Sequence, residues 1–444
     1  MIIEMKIPAS PRHLKELIDQ ETANISHILD VANSPTPTGK YLHWDKLRHR
    51  PPPADLTHEQ WWLGVKFARL SLNRQLPMTD KFGRPFGFSM PPLVTEHLHE
   101  IDSRGSGRIA MPDEVTNPQT KTRFLVRSLI EEAITSSQLE GASTTRQKAM
   151  EMFRSGRQPA DKSEQMIFNN LQGMEFIRAH QGDELTPELV KDIHVEMMSG
   201  TIADEDLGRL QTADEKRVHV ASNKNQVILH EPPPAEQLSA RLQDMCDFAN
   251  GRNEKEFLHP VVRAILLHLW LAYDHPFVDG NGRTARALFY WSMLGSGYWM
   301  FEFISISSIL RKASTQYAKS YLYTETDDND ATYFIVHQLQ VIRSALHALE
   351  NYLERKTREI QNAESVLRNY EGLNYRQLAL LSHALRKPDA SFTVSSHRTS
   401  HRVAYATARA DLLHLVDRGL LDKRVRGGTM YFAPGSVLLD IMKR

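Results

Sequence analysis

His275-Pro276-Phe277-Val278-Asp279-Gly280-Asn281-Gly282-Arg283-Thr284-Ala285-Arg286 is the stretch that decides how this 444-residue chain is read. It lies between two segments of helical periodicity, Val261–Tyr273 and Gly282–Leu294. Gly280-Asn281-Gly282 permits positive φ and close backbone approach, so several N–H groups can converge on one concavity. A helix starting near Gly282 turns its positive dipole end to the same place. Arg283 and Arg286, three residues apart, share one face of its first turn. The product is an anion nest suited to a polyphosphate. Asp279 at its lip is the residue type that holds Mg2+ together with phosphate oxygens. His275, closing the preceding helix, is placed to take a proton from a hydroxyl near neutral pH. A base, a metal carboxylate and an anion nest together point to phosphoryl or nucleotidyl transfer. A Walker A loop is absent: Gly39-Lys40 lacks the upstream glycine and the following Ser or Thr. A strand-borne Gly-x-Gly-x-x-Gly is absent as well.

His275–Arg286 resembles the Fic-family motif, His-Pro-Phe-x-Asp/Glu-Gly-Asn-Gly-Arg-x-x-Arg, and matches it at every defined position. Fic proteins are mostly α-helical and mostly transfer AMP from ATP to a protein hydroxyl. The resemblance implies His275 as the base that activates a Ser, Thr or Tyr of a target. It implies Asp279 as the Mg2+ ligand. Phe277 belongs to the same motif. Gly280, Asn281, Gly282 and Arg283 would cradle the phosphates, with Arg286 at the γ-phosphate. Doc-like kinase relatives depart at the second glycine and at the arginines, and this sequence does not, which favours nucleotidyl transfer.

Upstream, Ser136-Ser137-Gln138-Leu139-Glu140-Gly141 follows the apolar helix Phe124–Ile134. Gly141 is a helix stop. Glu140 then sits at a helix C-terminus, where a carboxylate is disfavoured by roughly 0.3–1 kcal/mol unless a cation meets it. Taken alone, Ser137-x-x-Glu140 reads equally as a capping box, or Glu140 as a solvated side chain. The resemblance adds a third reading. Fic proteins carry an inhibitory motif Ser/Thr-x-x-x-Glu-Gly/Asn, and Ser136, Glu140 and Gly141 match it. That implies Glu140 paired with Arg286 and an autoinhibited enzyme. In some relatives the same glutamate serves removal of AMP from modified targets.

Arg217–Pro234 reads as a hairpin. Two β-rich arms flank Ser222-Asn223-Lys224-Asn225, and a proline stop follows. It resembles the Fic flap, which docks target backbone by strand addition, with Val218, Val220, Val227 and Leu229 as its docking residues. Ser305-Ile306-Ser307, Tyr317, Tyr321 and Tyr290 resemble the family's adenine side. Core packing is an equal reading for them.

The rest of the chain sets the frame. The periodicity over 124–139, 164–180, 187–198, 235–250, 261–273, 282–294 and 332–356 predicts a mainly α fold. With the resemblance, the expected architecture is a Fic-type helical core with a β-hairpin flap and a C-terminal winged helix-turn-helix domain. The expected domains are 1–115, an N-terminal extension with core tryptophans Trp61 and Trp62; 116–350, the Fic domain with its inhibitory helix; and 351–444, a helical linker and winged domain. Lys+Arg and Asp+Glu are 54 each, so no whole-molecule grip on nucleic acid or membrane is expected. Residues 371–444 nonetheless hold 12 Lys+Arg against 6 Asp+Glu. A second winged-domain helix running through Ser400–Arg409 would place Arg402 and Arg409 on one face, beside Arg398 and the basic wing Lys423-Arg424-Val425-Arg426. Contact with DNA phosphates and contact with protein both fit that pattern. The single Cys246 excludes an internal disulfide and fits a reducing compartment. The N-terminus has no signal-peptide pattern, and the longest apolar stretch is too short to span a bilayer, so a cytoplasmic protein is expected. The expected ligands are ATP as substrate and Mg2+. The expected partner is a hydroxyl-bearing target protein, with self-modification, a homodimer and DNA through 371–444 left open. The leading expectation is an autoinhibited protein adenylyltransferase. The alternatives are a winged-helix DNA-binding regulator that uses the fold as a nucleotide sensor, and a de-AMPylating hydrolase.

Overall fold

The computed structural model describes residues 6–53, 55–105, 118–221, 227–252, 256–368, 370–386, 390–426 and 428–441. The expected boundary near 115, Gly107, the flap turn at 222–226 and Gly427 lie outside the described residues. The chain divides into two compact units, Met1–Met111 with Thr122–Leu346, and Pro112–Lys121 with His347–Arg444. Both are mainly helical.

In the first unit, α1 (Leu14–Glu21), α2 (Ile25–Ala32), α3 (Trp44–Leu47) and α4 (His58–Leu70) pack around one apolar cluster. A capping box starts α4: Thr57 Oγ1 accepts from Gln60 N, and Gln60 Oε1 accepts from Thr57 N. Trp61 and Trp62, next in line, are buried in that cluster. β1 (Asn73–Thr79) and β2 (Pro85–Ser89) pair antiparallel, and α5 (Pro92–Gly105) follows. This hairpin is hidden in the sequence because Asn73, Arg74 and Gln75 are exposed in succession, without the alternation of a half-buried strand.

α6 (Pro118–Leu139), α7 (Arg146–Ser155), α8 (Lys162–Ala179) and α9 (Pro187–Met198) come next. Thr145, Asp161 and Thr186 accept from the third-residue N–H of α7, α8 and α9 in turn, which fixes where each begins. A short antiparallel pair, β3 (Val220–Ala221) and β4 (Ile228–His230), precedes α10 (Leu238–Ala249). α11 (Pro260–Asp274) and α12 (Asn281–Gly295) are the centre. From Val261 to Asp274 only Arg263 and Ala272 escape burial, and Arg283 through Leu294 are all buried. Helices apolar on every side must be surrounded by others, and these two pack on each other and on α8, α9 and α10. α13 (Ile306–Lys312), α14 (Ser314–Thr326) and α15 (Thr332–Arg368) follow.

The second unit takes the C-terminal part of α15, then α16 (Tyr375–Arg386), β5 (Phe392–Thr393), α17 (Val394–His401), α18 (Tyr405–Asp417), β6 (Leu421–Arg426), β7 (Thr429–Pro434) and α19 (Ser436–Ile441). The sheet order is β5-β7-β6, antiparallel throughout, with Arg424 opposite Tyr431 and Arg426 opposite Thr429. Leu381, Leu385, Ala408, Leu412, Leu415 and Phe432 are at its core. One expectation is corrected here. No single helix runs through Ser400–Arg409. Arg402 is left-handed at φ 51, and Ala404 is extended at ψ 152, so the chain breaks between α17 and α18. Arg402 and Arg409 therefore belong to different elements and share no helix face.

Burial holds several imidazoles neutral in the first unit. It lowers His43 and His337 to about 4 and His268 well below 6.5. Unfolded, these rings take up protons near 6.5, so below that pH the unfolded state binds more protons and stability falls. The thermal midpoint is expected to drop steadily as pH falls from about 6.5 toward 4. Scanning calorimetry across that range checks it; a flat midpoint would contradict the buried neutral rings.

Candidate functional site

The loop is shaped by its own side chains. His275 ends α11 in a left-handed conformation, φ 46, with its N–H on Leu271 O. Asn281 staples the turn: Oδ1 accepts from Phe277 N at 2.9 Å, and Nδ2 donates to Phe277 O at 2.8 Å. The same Nδ2 lies 3.0 Å from His275 Nδ1. Gly280 takes φ 82, and a Cβ there would collide with the Met198 side chain. Thr284 Oγ1 donates to Gly280 O at 3.0 Å.

Distant elements brace this turn. His194 of α9 stacks on Phe277 with ring centres 3.8 Å apart, and its Nε2 is 3.0 Å from Asp279 O. Gly208 N donates to His194 Nδ1, so Nε2 carries the proton and donates to the loop. Arg217 at the root of the hairpin donates to Asp274 O at 2.8 Å, His275 O at 3.3 Å and Pro233 O at 2.9 Å. His230 of β4 is 2.7 Å from Tyr273 O and 2.9 Å from Glu325. The hairpin is thus tied to the end of α11 beside His275. Val220 and Leu229 lie in its strands, while Val218 and Val227 lie just outside them. Val220, Val227 and Ile228 are exposed.

Arg286 and Arg283 are both 2% exposed. Arg286 Nε donates to Ser136 Oγ at 2.9 Å, and Nη2 donates to Ser136 O at 3.1 Å and to Glu140 Oε1 at 2.8 Å. Burial works against this cation, but the Glu140 carboxylate holds it firmly protonated. A Cβ on Gly282 would overlap the Glu140 carboxylate, so Glu140 lies directly over the start of α12. Gly141 takes φ 96, with Ala142 N on Ser137 O and Gly141 N on Gln138 O. This is the double bond pattern of a Schellman turn, and it makes Glu140 the C-cap of α6. The capping-box alternative for Ser137 and Glu140 is excluded, because Glu140 sits at a helix end and Ser137 Oγ donates to Met166 O.

The anion nest fits its expected ligand. Arg283 Nε is buried without a partner, and burial first, then neighbouring Arg286, pulls this guanidinium down from its usual range. A buried guanidinium N–H with no acceptor is a place for an anion. Asp279 is half exposed, 3.8 Å from Arg283. Among the described residues no cluster of three or more His, Cys, Asp or Glu could hold a metal alone. One exposed carboxylate suits a cation that completes its shell with phosphate oxygens and water. Burial first, then the charges of His230 and Arg217, lowers His275 to about 3, so its ring is neutral and available to accept a proton.

Tyr317 and Tyr321 hydroxyls are 2.9 Å apart, with His268 Nε2 2.7 Å from Tyr317. Tyr290, Ser305 and Ser307 all converge on Glu132 of α6. Glu132, His194, Arg217 and His230 were not legible as site residues. Each acts through a contact more than forty residues away in sequence. Replacing Asn281 by Ala is expected to cost on the order of 3 kcal/mol, because two buried backbone groups of Phe277 lose their partner. Denaturant unfolding measures it, and a loss below about 1 kcal/mol would show that the loop does not depend on the staple.

Residues 184–293 match the Fic/DOC family. The chain is 41% identical over 69 residues to a protein adenylyltransferase Fic of Nematostella vectensis, 16% of each chain. It is 40% identical over 77 residues to the protein of the same name in Drosophila willistoni, covering 17% of this chain and 15% of that one. The matched segment thus spans about a sixth of these relatives' length. A solved Fic family protein from Desulfovibrio desulfuricans G20 superposes with a TM-score of 0.50 at 17% identity, over 78% of this chain and 97% of that one. Residues 184–293 are thus a segment that matches the Fic/DOC family, set in a fold shared with a solved Fic family protein.

Proposed function

We propose that the protein is an autoinhibited adenylyltransferase that moves AMP from ATP to a Ser, Thr or Tyr hydroxyl of a target protein. The observation that carries this reading is the seating of Glu140 on Arg286 and over Gly282, at the mouth of an intact anion nest. Gly280, Asn281, Gly282 and Arg283 would hold the phosphates, and Phe277 anchors the loop beneath them. Asp279 would hold Mg2+, which when bound draws negative charge from the phosphate oxygens. The target oxygen attacks the α-phosphorus, the bond to pyrophosphate breaks, and the hydroxyl proton passes to His275 Nε2. That step needs Nε2 free and the ring proton on Nδ1. Target backbone would add to the exposed hairpin at Val218, Val220, Val227 and Leu229. Ser305, Ser307, Tyr290, Tyr317 and Tyr321 would border the adenine. Segment 1–115 is then an extension, 116–350 the transferase with its inhibitory helix, and 351–444 a linker and winged domain.

The pair Ser136–Glu140 is the brake. A carboxylate on Arg286 competes with a phosphate for the same donors. Replacing Glu140 by Gly is expected to raise label incorporation from α-labelled ATP by about tenfold or more, and adding His275→Ala is expected to abolish it. Equal incorporation in wild type and E140G would defeat the reading. In E140G, kcat/KM is expected to show no break near pH 6.5, because the lowered His275 stays deprotonated well below it. An acid limb centred near 6.5 would place the base elsewhere.

A second reading rests on the second unit. Arg398, Arg402, Arg409, Lys423, Arg424 and Arg426 are all exposed there. A winged helix with this surface would contact DNA phosphates. Retention of a duplex by residues 371–444 of the full chain, lost on neutralising Lys423, Arg424 and Arg426, is the expected result. Unchanged retention in that variant would remove the wing from the contact.

A further inference from the structure

We infer that Glu132 is a positioning residue that fastens the inhibitory helix to the body of the domain. With Glu132 in place, α6 stays seated when the brake opens, and only the turn at Glu140–Gly141 moves. This rests on the reading of Glu140 as the brake and goes beyond it.

The contacts between α6 and α12 form rungs. Tyr290 OH donates to Glu132 Oε2 at 3.0 Å. Four residues on in α6 and four back in α12, Arg286 donates to Ser136 at 2.9 Å. Four further, Glu140 lies over Gly282. The helices run antiparallel, with one rung per turn. The outer rung is the brake, and the inner rung is anchored more heavily. Glu132 is 2% exposed, and its carboxylate also accepts from Ser305 Oγ at 2.7 Å, from Ser307 N at 3.1 Å and from Ser307 Oγ. Among the described residues no Lys or Arg bonds to it. Four donors on one buried carboxylate are left unpaired if the helix departs, and each such group carries a large desolvation penalty. Ala133, Ile134 and Ser137 on the same helix are also 1% exposed or less. By contrast Glu140 is 30% exposed and holds a single hydrogen bond to Arg286.

The geometry also says which substitution should be silent. Three of the four donors land on Oε2, and the fourth is a serine hydroxyl on Oε1. A glutamine can place its oxygen at Oε2 and its NH2 at Oε1, where Ser307 Oγ turns round to accept. Glu132→Gln should therefore keep every contact, and Glu132→Ala should lose them all.

Hydrogen exchange on the full chain tests this without relying on activity. In E140G, amides 138–142 are expected to exchange faster, while those of 128–136 and Ser307 keep their protection. In E132A, the Ser307 amide is expected to exchange about tenfold faster or more, and in E132Q to match wild type. Loss of protection along 128–136 in E140G would overturn the inference, since the whole helix would then be leaving. So would an E132Q that behaves as E132A, since charge and not hydrogen bonding would be the anchor. If E140G itself fails to activate, the proposed function fails, and the exchange pattern still judges the anchor.

Discussion

A guanidinium buried at the start of a central helix must always face an anion, and Arg286 is such a group. Its burial would be untenable alone, since an unpaired buried charge costs several kcal/mol. The structure meets the demand with one helix: Ser136 supplies a hydroxyl and a carbonyl, and Glu140 supplies the charge. The position of α6, the shape of the turn at Gly141 and the glycine at 282 all follow from bringing that carboxylate to that cation.

The loop before α12 obeys a similar rule. His275 sits in a left-handed conformation that most residues avoid, which costs of order 1 kcal/mol. It is held there from both sides, by its own N–H on Leu271 O and by Arg217, which donates to its carbonyl from the hairpin. The hairpin, His275 and the loop backbone are consequently one mechanical unit. A displacement of the hairpin root is transmitted to the carbonyl of His275 itself.

The parts legible in the sequence were the local ones. Gly280, Asn281 and Gly282 announce a tight turn because their conformational needs are properties of single residues. Gly141 announces a helix stop for the same reason, while the meeting of Glu140 with Arg286 was implied only by the resemblance of Ser136, Glu140 and Gly141 to the family motif. What was hidden depends on distant partners. Glu132 looks like one more acid in Glu131-Glu132, and only its full burial among Tyr290, Ser305 and Ser307 separates it from its half-buried neighbour. The β1–β2 hairpin lacks alternation because three successive residues face solvent. The break at Arg402 was invisible because arginine is a good helix former, and its left-handed turn is set by the packing of α17 against α18.

Gly282 has one further consequence. The space above its Cα is filled by the Glu140 carboxylate, which under the proposed function would act as a tethered ligand at high effective concentration. A free anion reaching that space would compete with it, its apparent affinity scaled down by the fraction of time the seat is open. Restraint of this kind would be graded: the resting ratio of open to closed seats would set a threshold concentration, and small shifts in the stability of one helix turn would move that threshold up or down.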